Sequence, residues 1–152
     1  MSPVRVSSQF PVLLSTMSSL YHGSCLCNSV QYEITGEPFT FLVCHCNNCK
    51  KASGTAFMAN AFFKPEQVVV LKGSETIRKY HDRTTASGAA VIRFFCPRCG
   101  SNIFLTNEDH SGYTVVMTGT VDGDIKWVPR REIFTDHKRQ WVTVHPIPRS
   151  KL

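Results

Sequence analysis

The stretch Cys44-His45-Cys46-Asn47-Asn48-Cys49 places three thiols within six residues and runs on into Lys50-Lys51-Ala52-Ser53-Gly54. Two pairs flank it, Cys25-Leu26-Cys27 upstream and Cys96-Pro97-Arg98-Cys99-Gly100 downstream, and these three clusters hold all seven cysteines of the chain. The spacings are CxC, CxCxxC and CxxC, which are metal-ligand spacings. A disulfide framework would use an even set, and thiols two residues apart strain disulfide geometry. The reading is two zinc sites rather than crosslinks. Metal-binding thiolates belong in a reducing compartment, the cytoplasm or the nucleus.

The 152 residues are enough for one domain with a modest core. Hydrophobic residues make up 42% and charged residues 18%, proportions that exclude a mainly disordered chain. No apolar run approaches the roughly 20 residues of a membrane span, so no membrane partner is expected. The formal charge of +6 overstates the basic excess. Seven thiolates subtract seven charges and two Zn²⁺ add four, leaving about +3. That balance favours a small anionic partner. The basic residues are scattered, with no run longer than Lys50-Lys51, Arg130-Arg131 or Lys138-Arg139, which argues against nucleic acid.

Along the chain, residues 1–20 read as a disordered or weakly ordered extension. Residues 21–146 read as one zinc-binding domain, and 147–152 as a tail. Cys25 and Cys27, two apart, would face one metal from an extended segment. Val30, Tyr32 and Ile34 alternate with polar residues, the period of a half-buried strand. Further strands are expected over 39–43, 55–63, 68–71, 77–80, 89–95, 102–105 and 113–119, with one helical turn over 51–54 and a loop over 81–88. No long stripe of helical period exists. The fold class is mainly β, with many short strands and little helix.

The thiols divide as four plus three. A CxxC turn such as Cys96–Cys99 offers two ligands, and Gly100 permits the left-handed backbone that follows such a knuckle. Cys25 and Cys27 would complete a closed, structural tetrahedron. Cys44, Cys46 and Cys49 are then left as an open site, with His45 pointing away between two ligands. Spacing alone also allows the rival pairing, in which Cys96 and Cys99 complete the central site. Three thiolates on Zn²⁺ carry a formal charge of −1, a weak Lewis acid better suited to holding a soft ligand, a substrate thiol, than to making hydroxide. Lys50, Lys51, Arg93 and Arg98 are the cations close in sequence that could offset the charge of a bound thiolate. No general base stands out among His22, His45 and His81.

Gly23-Ser-Cys-Leu-Cys27, Cys44-His-Cys-Asn-Asn-Cys-Lys-Lys-Ala-Ser-Gly54 and Phe95-Cys-Pro-Arg-Cys-Gly-Ser101, in that order, resemble the glutathione-dependent formaldehyde-activating enzyme family, which includes centromere protein V. Glu132-Ile133-Phe134 followed by Trp141 is also similar to the end of that domain, so the resemblance spans roughly residues 21–144. It implies an Mss4-like fold of short-stranded sheets around two zinc ions. It implies a structural role for Cys25, Cys27, Cys96 and Cys99, and a catalytic one for Cys44, Cys46 and Cys49. It implies a carbon–sulfur lyase joining glutathione and formaldehyde as S-hydroxymethylglutathione; proximity in sequence, rather than the resemblance, makes Lys50, Lys51 and Arg98 the candidate glutathione contacts. The alternatives are a non-catalytic module binding chromatin or a protein, and a glutathione carrier. The oligomeric state is not legible in the sequence. If residues 1–16 contribute nothing to the core, a chain started at Met17 should melt within about a degree of the full chain in a thermal scan.

Overall fold

The computed structural model describes residues 18–108 and 112–145. The strand with the strongest alternation, β2 (Gln31–Thr35), buries Tyr32 and Ile34 and forms the middle of a three-stranded sheet. Its neighbours are β1 (Leu20–Ser24) and β5 (Val68–Lys72), both antiparallel to it. The second sheet has seven strands, in the order β10 (Arg131–Ile133), β3 (Thr40–Cys44), β4 (Met58–Phe63), β9 (Thr114–Met117), β8 (Asn102–Asn107), β7 (Val91–Phe95) and β6 (Arg78–Asp82). All its pairs are antiparallel except β10 with β3. One short helix, α1 (Asn47–Ser53), links β3 to β4. The expected mainly β class holds, and among the described residues no helix is long and apolar enough to cross a membrane.

The large sheet has two apolar faces. One meets the small sheet, where Val30, Tyr32 and Ile34 pack on Ala61, Phe63, Phe104 and Val116, with Tyr32 and Phe104 edge to face at 4.8 Å. The other carries Cys44, Met58, Val115 and Met117 and is covered by the segment of Cys46 and Cys49. Period-two alternation carries this second face across the sheet. Cys44 lies opposite Met58, Leu105 opposite both Val115 and Arg93, and Arg93 opposite Tyr80. Cys44 on β3 and Arg93 on β7 therefore point to the same side from distant strands.

Several expectations shift. Cys25 and Cys27 do not lie in an extended segment; they sit in a tight turn closed by Asn28 N–H to Cys25 C=O at 2.8 Å, with Asn28 at φ 57°. A turn brings two sulfurs to one point more closely than a strand does. The helix starts at Asn47, not Lys51, because the Cys46 sulfur accepts the Cys49 N–H at 3.4 Å and so caps it. His81 and Asp82 extend β6 rather than open a loop, and β9 ends at Met117 in a 3₁₀ turn over Thr118–Thr120. Leu20 already belongs to β1, one residue before the expected boundary. The expectations for residues 1–17 and the tail 147–152 lie outside the described residues.

Gly73 follows β5 at φ +76°, and a Cβ there would lie 2.1 Å from the Ser29 carbonyl oxygen in the turn that holds Cys27. Gly88, at φ +77°, has open space around it. Gly73→Ala is expected to cost about 2–4 kcal/mol, strain plus overpacking, and Gly88→Ala about 1 kcal/mol, strain alone. Urea unfolding of the two variants checks the difference.

Candidate functional site

The seven cysteines are all free thiols and collect in two clusters, Cys25, Cys27, Cys96 and Cys99 in one and Cys44, Cys46 and Cys49 in the other. Within each, the sulfurs lie within 4.8 Å of one another. The rival pairing, with Cys96 and Cys99 on the central thiols, does not occur.

The four-sulfur cluster joins the β1–β2 turn of the small sheet to the β7–β8 turn of the large one. Cys25 Sγ is 3.6 Å from Cys27 Sγ, which is 3.8 Å from Cys96 Sγ. Zinc–sulfur bonds of about 2.3 Å in a tetrahedron set sulfurs about 3.8 Å apart, so the spacing fits that ion. Hydroxyls and backbone N–H groups complete the shell. Val30 N–H donates to Cys25 Sγ at 3.3 Å, and Ser101 Oγ lies 3.3 Å from Cys99 Sγ while accepting the Leu26 N–H. The Ser101 hydrogen bond, against burial, brings the Cys99 thiol down to about 5. The hydrogen bonds of Ser29 lower Cys27, and burial pushes Cys96 up to about 11. Arg98 donates to Ser29 Oγ at 2.7 Å, so it lies at this cluster rather than beside the three thiols.

The three-sulfur cluster is built from one strand end and one helix start. Cys44 closes β3 between Met58 of β4 and Ile133 of β10. Cys46 caps α1 and Cys49 follows one turn later; all three are at least nine-tenths buried. Among the described residues no fourth Cys, His, Asp or Glu joins them. The thiols ionise unequally. The hydrogen bond from Cys44, against burial and aided by the Arg93 guanidinium, brings Cys49 down to about 6. The same hydrogen bond, together with burial, pushes Cys44 well up, and burial raises Cys46. A metal ion would relieve this crowding and release the protons the thiols hold.

Around the thiols stand residues that spacing did not reveal. His45 is fully buried and its Nε2 lies 2.6 Å from Glu132 Oε2, while its backbone N–H donates to Ile133 C=O at 3.1 Å. Glu132 also binds Lys138 Nζ at 2.7 Å. The Lys138 hydrogen bond, then, against burial, the His45 one, holds Glu132 below the usual carboxylate range. This triad ties the Cys44–Cys46 segment to β10. On the other flank Arg93 donates to Asp82 Oδ2 through Nε at 3.0 Å and Nη2 at 2.8 Å, and Asn48 Nδ2 donates to Asp82 Oδ1 at 2.8 Å. Burial opposes the Asp82 charge, yet the hydrogen bonds of Asn48 and Arg93 hold its carboxyl below the usual range. Asp82 lay in the segment read as loop; the alternation of Tyr80 and Asp82 was the available signal. Lys50 donates to the His137 carbonyl at 2.7 Å, and Lys51 lines a cleft beside Arg93. His22 pairs with Glu33 at 3.9 Å and His81 with Glu108 at 3.5 Å, and neither joins the thiols.

Fold and thiols together define a class, a two-sheet domain with one closed four-thiol cluster and one open three-thiol cluster. The chain belongs to the glutathione-dependent formaldehyde-activating enzyme family, whose profile matches residues 20–137. It is 24% identical over 127 residues to a Halomonas elongata protein provisionally named a glutathione-dependent formaldehyde-activating enzyme, covering 82% of this chain and 81% of that protein. It is 30% identical over 84 residues to a Schizosaccharomyces pombe protein named an uncharacterized lyase, covering 55% of this chain and 56% of that one. A Rhodobacter sphaeroides protein of known crystal structure shares the fold, with a TM-score of 0.54 and 18% identity over 69% of this chain and 91% of that one.

The clusters should fail differently. Cys99→Ser removes a ligand from the cluster that bridges the sheets and should lower the melting temperature by about 10 °C or more. Cys49→Ser should leave a folded β protein that binds one metal fewer. Circular dichroism melts with metal analysis check both, and equal loss of structure would count against separate roles.

Proposed function

We propose that the chain is a zinc-dependent carbon–sulfur lyase of the S-(hydroxymethyl)glutathione synthase type, joining a thiol, glutathione, to an aldehyde, formaldehyde. The observation that supports it most is the trio Cys44, Cys46 and Cys49, three buried sulfurs with no fourth ligand side chain among the described residues. Zinc held there supplies a soft position at which a substrate thiol is kept ionised. In the reaction the thiol sulfur forms a bond to the formaldehyde carbon, the carbonyl π bond opens onto oxygen, and the proton lost by the thiol ends on that oxygen. The residues of the chain contribute position and charge. Glu132, through His45, fixes the Cys44–Cys46 segment, and Asp82 and Asn48 fix Arg93 against Cys49. A second zinc, on Cys25, Cys27, Cys96 and Cys99, is structural. A site of this kind works with reduced thiols, so the compartment proposed is the cytoplasm.

The thiol is tested by ligand and by spectrum. Glutathione should stabilise the metallated protein by about 2.7 kcal/mol at a hundredfold excess over Kd. S-methylglutathione keeps both carboxylates but offers no thiolate, and should stabilise it far less. With cobalt in place of zinc, glutathione should change the sulfur-to-metal charge-transfer bands. An unchanged spectrum, with both ligands binding equally, would sink the lyase reading and leave an anion binder.

A further inference from the structure

A cleft of about 370 Å³ opens beside the three thiols, between α1 and the β6–β7 edge of the large sheet. Its walls include Asn48 and Lys51 of α1, Tyr80 and Asp82 of β6, Thr84 and Arg93. The volume is that of a small-molecule site. Arg93 and Asp82 are 6% and 2% exposed, so the floor of this cleft is a buried ion pair. Such pairs are weak contributors to stability, and burying one beside a thiolate cluster needs another reason.

The donor count supplies one. Asp82 is saturated. Arg93 reaches Oδ2 through two nitrogens, Asn48 Nδ2 reaches both oxygens at 2.8 and 3.1 Å, and the Thr84 N–H reaches Oδ1 at 3.3 Å. Arg93 is not. A guanidinium has five N–H donors, and Nη1 of Arg93 meets only the Met58 thioether, at 3.9 Å, beyond the guanidinium's approach to Cys49. Unfilled donors on a buried cation call for a second acceptor. At the mouth, the exposed Lys51 takes part in no ion pair among the described residues, and Tyr80, 58% exposed, brings a hydroxyl. With Arg93 and Asp82 cancelling, Lys51 leaves the cleft with one net positive charge. The larger cleft nearby, about 470 Å³ between the end of α1 and the Cys99–Asn102 turn, is lined by no Lys, Arg, Asp or Glu. It offers a carboxylate no counter-charge.

We propose that the cleft between α1 and β6 binds the carboxylate end of the thiol substrate, on Lys51 and the open edge of Arg93, with Asp82 as the residue that positions Arg93. This rests on the thiol reading above. One guanidinium then faces both the cysteine sulfurs and the carboxylate, so it sets the distance between thiol and acid that a substrate must have. It explains how an anionic site admits an anionic substrate.

Titration calorimetry of the zinc-loaded full chain with glutathione and with glutathione diethyl ester tests it. Lys51→Ala is a surface change that leaves the fold intact. It should weaken glutathione binding about tenfold, the worth of one charge-assisted contact, and move the diester less than twofold. Asp82→Asn should lower the glutathione-to-diester preference as well, a ratio that a general loss of stability does not change. If wild type binds glutathione while Lys51→Ala and Lys51→Glu bind it equally well, the cleft is not the carboxylate site and the thiol reading survives. If wild type binds neither ligand, the thiol reading falls and this proposal with it.

Discussion

The domain depends on a contact between sulfurs that are far apart in the chain. Cys27 and Cys96 are 69 residues apart in sequence and 3.8 Å apart in space. One comes from the small sheet and one from the large, so the four-thiol cluster fastens the two layers at their edge. Between the layers, Tyr32 fills the gap with its ring on Phe104 and its hydroxyl 2.8 Å from Thr120 Oγ1. Burial drives its phenol well above the usual range, so it stays neutral there. Because thiols crowded at this spacing cannot all ionise without a counter-cation, a cation held there would set how firm the clasp is.

The second cluster is held by a different logic. It lies on the far face of the large sheet, and among the described residues no disulfide or hydroxyl shell closes it. Its geometry is imposed from both flanks, by the Glu132 carboxylate bonded to His45 and Lys138 on one side and by the Asp82–Arg93 ion pair on the other. The first contact bridges elements distant in the chain, His45 and Glu132 being 87 positions apart, while the second joins consecutive strands, Asp82 and Arg93 being 11 apart. Rigid support of this kind fixes three buried sulfurs against one another without a fourth ligand side chain among the described residues.

How much of this the sequence disclosed follows from the range of each interaction. Cysteine spacing is local chemistry, and it marked the three clusters because a CxC or CxxC turn can serve one ion only, but which pair joins which cluster is decided by the fold. Strand period is also local, so β2 fell where alternation placed it, and β5 and β7 fell on the short apolar segments 68–71 and 89–95 expected as strands. The turn at Cys25–Asn28 did not, since CxC reads equally as strand until Asn28 is seen to adopt φ 57°. The start of α1 was missed because its cap is a thiol, Cys46, and cysteine is no part of the usual capping signal. Asp82 and Glu132 were invisible as site residues. Each acquires its place from sheet register, and register depends on every strand between. Arg98 adjoins a knuckle in sequence, and it bonds Ser29 across the sheets rather than reaching the open thiols.

Strand order in the large sheet has a consequence for the sequence of events in folding. β9 lies between β4 and β8, although it follows both in the chain. Until residue 117 is available, β4 and β8 have no pairing partner in common, and each presents a bare edge of unpaired N–H and C=O groups. All four sulfurs of the closed cluster precede that point, the last being Cys99. A clasp that can close before the sheet is complete shortens the search, because it holds the two halves of the chain in register while the central strand is still to arrive. Metal supply would in that case govern the rate at which the domain forms as well as the stability it reaches.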